Sequence, residues 1–231
     1  MFFCVFSSTL VTLVTSSNIS NMKKIVIASH NQGKIVEIQH LLAPLGIEVL
    51  SSNDFNIPEP EETGATFIEN AYIKSLAFAN ATGLPSLSDD SGLMVDILGG
   101  RPGIHSARYA ENPATGKRDF DYGMKKLEAE VEAQLKKQGL PAELKNQSSA
   151  HFICALSLCL PHENGEYKHY EFEGKISGDL TFSPRGKNGF GYDACFTPQG
   201  YNQTFGEMQP EFKHSISHRA IAFKKFLEFL R

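Results

Sequence analysis

Between Lys24 and Leu50 the spacing of apolar residues changes period twice, and this limits the fold more than any other stretch. Lys24-Ile25-Val26-Ile27-Ala28-Ser29 is a short β-branched run of the kind that forms a buried strand. His30-Asn31-Gln32-Gly33 makes a turn. From Lys34 onward, Ile35, Ile38, Leu41, Leu42 and Leu45 share one helical face, and Gly46 ends it. Ile47-Glu48-Val49-Leu50 then reads as a second strand. Strand, helix and strand in that order form a βαβ-like opening, so the chain is expected to be a single α/β unit. With 231 residues there is room for one substantial core or for two lobes sharing a sheet. Hydrophobic residues make up 41% and charged residues 21%, as in ordinary globular proteins. A net charge of −4 argues against broad, nonspecific binding of nucleic acid.

The remaining segments follow local rules. Residues 53–65 form an acidic, Pro-rich loop. Thr66-Phe67-Ile68-Glu69 has capping-box spacing and opens a helix through about Ala81. Gly83 to Leu87 reads as a turn leading into a short apolar strand that ends at Ser88-Asp89-Asp90-Ser91-Gly92. Gly99 to Gly103 is a loop near those acids, and residues 117–147 are helical in character. Phe152 to Leu160 is apolar on both faces and predicts a central strand. Glu163-Asn164-Gly165-Glu166 predicts a hairpin turn returning through Tyr167 to Phe172, and the hairpin-rich section from about 150 to 200 suggests a second lobe. A last helix beginning near Ser217 buries Phe223, Phe226, Leu227 and Leu230. Cys4, Cys154, Cys159 and Cys195 include no C-x-x-C pair and read as free thiols, buried in a reducing cytosol. Residues 1–21 carry no charge, and Met22 reads as a fresh start. The expectation is a disordered tail or a mis-set start over 1–21, then one domain over 22–231, with no membrane span.

Four segments can carry chemistry. Asp89 and Asp90 past a strand end suit a divalent cation such as Mg²⁺, although an acidic helix cap reads equally well. Ser29 to Lys34, at a helix start with a lysine in the first turn, offers a phosphate seat, or is an ordinary turn. Glu61-Glu62-Thr63-Gly64 supplies a third carboxylate if it folds back onto the acids. Ser183 to Asp193 holds two aromatics and an acid among glycines, so Phe190 either stacks on a base or plugs the core. Lys213 to Arg219, read as the start of the last helix, places several cations where the helix dipole disfavours them and so hints at an anion nearby.

Six ordered motifs add a resemblance. Ser-x-Asn-x-Gly-Lys, Glu-Thr-Gly-x-Thr-Phe-x-Glu-Asn-Ala, Asp-Asp-Ser-Gly-Leu, Gly-Gly-x-Pro-Gly-Ile-x-Ser-Ala-Arg-Tyr, Gly-Phe-Gly-Tyr-Asp and Lys-x-x-Ile-Ser-His-Arg run from Lys24 to the C-terminus. The chain closely resembles the inosine/xanthosine triphosphate pyrophosphatases. That resemblance implies an elongated two-lobed α/β fold around a long mixed sheet, with a nucleotide cleft between the lobes. It implies a cytoplasmic homodimer that needs Mg²⁺, without nucleic-acid or membrane partners. The reaction would be hydrolysis of ITP, dITP or XTP to the monophosphate and pyrophosphate. By motif, Ser29, His30, Asn31, Gln32, Gly33 and Lys34 would hold the triphosphate. Asp90 would be the catalytic acid-base residue and, with Glu62, a metal ligand, while Ser91 touches substrate. Phe190, Gly191, Tyr192 and Asp193 would wall the purine, Lys213 would reach phosphate, and His218 and Arg219 would read the 6-oxo edge. A related pyrophosphatase of other specificity, or a nucleotide sensor without turnover, is the alternative. Two positions depart from the pattern: Ser29 where threonine is common, and Ala194 where proline is expected.

Overall fold

The structure, a computed structural model, describes residues 22–162 and 165–231. The expectations for residues 1–21, including Cys4, and for the Glu163-Asn164 turn centre lie outside those residues. The described residues form six α-helices and eight strands. These are β1 (Lys24–Ile27), α1 (Gln32–Leu42), β2 (Glu48–Ser51), α2 (Phe67–Thr82), β3 (Ser86–Val95), α3 (Ser106–Tyr109), β4 (Glu111–Asn112), β5 (Lys117–Arg118), α4 (Phe120–Lys137), β6 (Ser149–Pro161), β7 (Tyr167–Leu180), β8 (Phe196–Pro198), α5 (Pro210–Ile216) and α6 (His218–Phe229).

The opening βαβ unit forms as the change of period requires. Ile25 and Ile27 on β1 and Ile35, Ile38 and Leu42 on α1 join one buried cluster. After α1 the chain tightens into a 3₁₀ turn, and Gly46 ends it at φ 67°, a left-handed conformation that glycine adopts without strain. β2 and β3 both pair parallel with β1. From β3 onward each pairing is antiparallel, giving a six-stranded mixed sheet in the order β2-β1-β3-β6-β7-β8. Helices flank it. The two largest of four apolar clusters divide the sheet: β1, α1 and α6 build one, while α4, β8 and the far ends of β3 and β6 build the other, and α2 packs on β1 and β6 in the two smaller ones.

Two expectations are corrected. The strand does not stop before the acids: β3 runs through Asp89 and Asp90, which pair with Leu156 and Ala155 of β6. The long partner strand supplies a ladder along all ten residues, and this outweighs the turn-like composition of Asp-Asp-Ser-Gly. The helical reading of 117–147 also shrinks. Asp119 caps α4 by accepting from the Tyr122 amide, α4 ends at Lys137, and a 3₁₀ stretch covers Ala142–Gln147. Elsewhere, Thr66 and Glu69 form the capping box of α2. β6 lies between β3 and β7 as a central strand. Ser217 caps α6, whose Phe223 and Phe226 are buried while Leu227 and Leu230 are half-buried. Cys154, Cys159 and Cys195 are free and buried. No described helix is long and apolar enough to cross a membrane.

Candidate active site

Alternation along β3 sends its two acids to opposite faces of the sheet. Asp89 shares a face with Leu87 and looks toward α1 and α6. Its Oδ2 lies 2.8 Å from Lys34 Nζ and 3.5 Å from an Arg219 nitrogen, and accepts from Ser91 Oγ at 3.0 Å. Burial alone would raise this carboxyl, but Lys34, Arg219 and Lys74 outweigh it and hold Asp89 well below the usual carboxylate range. Asp90 shares the other face with Ser88, whose hydroxyl donates to the Ala71 carbonyl of α2. There Asn70 Nδ2 donates to Asp90 Oδ2 at 3.4 Å, and Lys74 Nζ stands 3.8 Å from Oδ1. Burial dominates here. Lys74 pulls the Asp90 carboxyl down, Glu62 pushes it up, and it settles at about 6.

The sequence motifs assign no role to Lys74 or Asn70. Their signal was nevertheless present. Phe67, Asn70, Ala71, Lys74, Ser75 and Phe78 form the buried stripe of α2, so two strongly polar residues sit at helical spacing on an otherwise inward face. A buried lysine needs anions, and Lys74 has them: its Nζ is 2.7 Å from Glu62 Oε1. Burial lowers its proton affinity, but Asp90, Asp89 and Glu62 reverse that and raise it. Asn70 also accepts from the Gly64 amide at 2.8 Å. The Glu61-Glu62-Thr63-Gly64 loop is thereby tied to the helix that carries Lys74, and Glu62 and Asp90 both lie within 3.8 Å of one ammonium.

At the α1 start, Asn31 accepts from the Lys34 amide at 3.2 Å, and Ser29 Oγ accepts from the Asn31 amide. Gln32 and Gly33 belong to the first helical turn. Lys34 is ion-paired with Asp89 rather than solvated. His30 is exposed, its Nε2 3.1 Å from the Ile57 carbonyl oxygen.

The glycine-rich loop separates its residues by role. Phe190 is 57% exposed and therefore does not plug the core. Its ring lies 5.2 Å from Lys213 Nζ and 5.8 Å from the Arg219 guanidinium carbon. Asp193 is buried. Its Oδ2 accepts from the Phe190 amide at 2.8 Å and pairs with Lys213 at 2.5 Å, so it shapes the loop and holds the lysine. Tyr192 is buried too, donating its hydroxyl to the Ser106 carbonyl at 3.0 Å. Lys213 belongs to α5, while His218 and Arg219 open α6, so the expected single helix start is two helices meeting at Ser217. Arg219 pairs with Asp89 at 3.5 Å. His218 stacks on Phe152 with centroids 4.9 Å apart. Burial, helped by Arg219 and Lys213, keeps its ring well below the usual histidine range and hence neutral. Its Nδ1 has no hydrogen-bond partner among the described residues. Gly174 of β7 makes this possible. A Cβ there would lie 1.9 Å from the His218 carbonyl oxygen, so only glycine lets the α6 start rest directly on the sheet.

These groups line one cleft of about 980 Å³. It reaches from Ser29 and Lys34, past Glu62, Lys74 and Asp90, to Phe190, Lys213, His218 and Arg219. Asp89 lies behind its wall, holding Lys34 and Arg219 in place. Among the described residues no three His, Cys, Asp or Glu side chains converge on one point. The protein offers two hard carboxylate donors, Glu62 and Asp90, bridged by an ammonium. That set fits Mg²⁺, which takes one or two carboxylates and completes its shell with water and phosphate oxygens.

The sequence model of the Ham1 family matches residues 25–229. The chain is 47% identical over 214 residues to a dITP/XTP pyrophosphatase of Mesorhizobium japonicum, covering 89% of this chain and 92% of the relative. It is 49% identical over 213 residues to one of Brucella melitensis, with the same coverages. Among solved structures, a HAM1 protein from Coxiella burnetii superposes with a TM-score of 0.78 at 38% identity, over 90% of this chain and 98% of that one. A dITP/XTP pyrophosphatase from Mycobacterium abscessus superposes at 0.68 and 37%, over 90% and 100%. Agreement in sequence along nearly the whole chain and in three-dimensional fold leads to one conclusion: the chain belongs to the Ham1 family.

Proposed function

We propose that this protein hydrolyses non-standard purine nucleoside triphosphates, namely ITP, dITP and XTP, to the monophosphate and pyrophosphate. The observation that carries the reading is the Glu62–Lys74–Asp90 cluster, set in one cleft with a helix-start phosphate seat and an exposed aromatic ring. The names of the relatives point the same way. Phe190 stacks on the purine, and Lys213 and the helix start at Ser29 to Lys34 face the phosphates. Arg219 donates to the 6-oxo group. Adenine presents an amino donor there instead, which leaves a buried donor unpaired at a cost of roughly 1–3 kcal/mol.

Glu62 and Asp90 would hold Mg²⁺, which when bound would neutralise phosphate charge and orient water. Asp90 accepts the proton of the attacking water on its carboxylate, leaving hydroxide as the nucleophile, and Lys74 stands 3.8 Å from its Oδ1. Asp89 takes no part in the proton transfer. It holds Lys34 and Arg219 side by side in the wall of the site. The protein is a homodimer that works on the cytoplasmic nucleotide pool. Pyrophosphate release from ITP, XTP, dITP, GTP and ATP, with and without Mg²⁺, tests the reading. The expected result is Mg²⁺-dependent release, fastest for the first three. Equal rates for ATP and ITP would overturn the base selectivity, and no release from any would favour a sensor.

A further inference from the structure

We propose that Arg108 binds the pyrophosphate end of the substrate, exchanging its contact with Glu62 for phosphate oxygens as the cleft fills. The proposal rests on the triphosphate reading above and assigns a residue that the six-motif comparison left without a role.

Six cations line the cleft: Lys34, Lys74, Arg108, Arg118, Lys213 and Arg219. Four are committed. Lys34, Lys74, Lys213 and Arg219 are largely buried, each within 3.5 Å of a carboxylate. Arg108 differs. Its side chain is 54% exposed, and its guanidinium stands 3.8 Å from Glu62 Oε2, whose other oxygen Lys74 already holds at 2.7 Å. An exposed ion pair at that distance is weak. A guanidinium can trade it for two parallel, charge-assisted bonds to phosphate. The trade costs Glu62 little, because Lys74 stays.

The contacts of Arg108 set it among the groups proposed to face the phosphates. From the exposed ring, contacts run from Phe190 to Arg219, Asp89 and Lys34. On the other face of β3 they run from Asp90 to Lys74, Glu62 and Arg108. Arg108 closes that series at Glu62, beside the acids proposed to hold the metal. Arg118, by contrast, neighbours Phe120 and acts on Tyr192, beside the aromatic wall.

The backbone under Arg108 is fixed although its head is free. Ser106 Oγ accepts from the Leu93 amide at 2.9 Å and donates to the Gly103 carbonyl at 2.6 Å, and the Ser106 carbonyl accepts from Tyr192. A Cβ on Gly92 would lie 2.5 Å from the Gly103 carbonyl oxygen and 2.6 Å from Ser106 Oγ. Glycine at 92 therefore brings α3 directly against β3, two residues from Asp90. A rigid base with a loosely held guanidinium suits a group that must grip one product and then release it.

Calorimetric titration of inorganic pyrophosphate and, separately, of IMP into the wild type, Arg108→Ala and Arg108→Lys tests this. Arg108→Ala is expected to weaken pyrophosphate by roughly tenfold or more while IMP stays within about twofold. Arg108→Lys keeps the charge but loses the fork, and should recover only part of the affinity. It carries the test if the alanine variant fails to fold. Unchanged pyrophosphate affinity, or equal weakening of both ligands, would overturn the assignment. Because the titrations read pyrophosphate binding directly, they decide the role of Arg108 even if the wild type cleaved none of the purine triphosphates.

Discussion

Replacing Asp90 by asparagine should abolish turnover and, at the same time, make the metal-free protein more stable above neutral pH. The folded Asp90 carboxyl is pushed up to about 6 from an ordinary 3.8, chiefly by burial. Between those values the folded state keeps a proton that the unfolded chain has released. Stability therefore falls as pH rises through that window and stays lower above it. A shift of about two units corresponds to about 3 kcal/mol at 1.36 kcal/mol per unit. Asparagine never ionises, so it escapes that penalty. It also removes one of the anions around Lys74, whose 2.7 Å contact with Glu62 remains. A net gain of about 1–3 kcal/mol at pH 8 is expected, which for a chain of this size raises Tm by roughly 2–4 °C per kcal/mol. At pH 5, midway through that window, the gain should fall to roughly half, and it approaches zero only below the unfolded value of 3.8. Thermal unfolding of both proteins in EDTA at pH 5 and pH 8 measures the difference, and pyrophosphate release in Mg²⁺ measures a loss of roughly 10³-fold or more. A lower Tm for Asp90→Asn at pH 8, or the same gain at both pH values, would refute the electrostatic reasoning. Wild-type turnover would refute the catalytic role.

The neighbouring acid should behave in the opposite sense. Asp89 is held below its ordinary range, so it contributes stability above the unfolded value that is lost as pH falls. Asp89→Asn leaves Lys34 and Arg219 without their shared anion and should cost about 3–5 kcal/mol in urea unfolding at pH 7. Lys74→Met should forfeit most activity and raise the Asp90 carboxyl further, moving the acid limb of the kcat/KM profile to higher pH. Phe190→Ala should raise KM for ITP roughly tenfold, from the loss of about 1–3 kcal/mol of stacking, with little change in Tm because the ring is exposed. Gly174→Ala forces a Cβ against the backbone of His218 and Ala222. It should destabilise the fold by about 1–3 kcal/mol in thermal melts, and kcat/KM should fall as the α6 start lifts from the sheet.

What was readable in this chain was local. The capping box at Thr66 and Glu69, the left-handed stop at Gly46 and the serine cap at Ser217 are each written within a few consecutive residues, and each forms as written. The period change that opens the chain commits α1 to cover β1 before any long-range contact is known. The end of β3 departs from the sequence expectation for the complementary reason. Asp-Asp-Ser-Gly has the composition of a turn, and only the ladder to β6, more than sixty positions away, makes it a strand. Lys74 is silent in the sequence because a lysine on a helix reads as solvated until Glu62 and Asp90 are brought to it.

The same distinction explains why two adjacent acids do different work. Read as a pair, Asp89 and Asp90 repel and ask for one shared cation. Placed within a strand, they point to opposite faces and meet different partners. One is surrounded by Lys34 and Arg219 and stays ionised, fixing the cations that face the phosphates and the base. The other meets a single lysine already bound to Glu62, and burial keeps its proton affinity high. A turn or a helix cap would have left both acids in similar solvent with similar proton affinities. The extended backbone through Asp-Asp-Ser-Gly is therefore what separates a positioning carboxylate from a reactive one, and any substitution that breaks the β3–β6 ladder there should erase the difference between them.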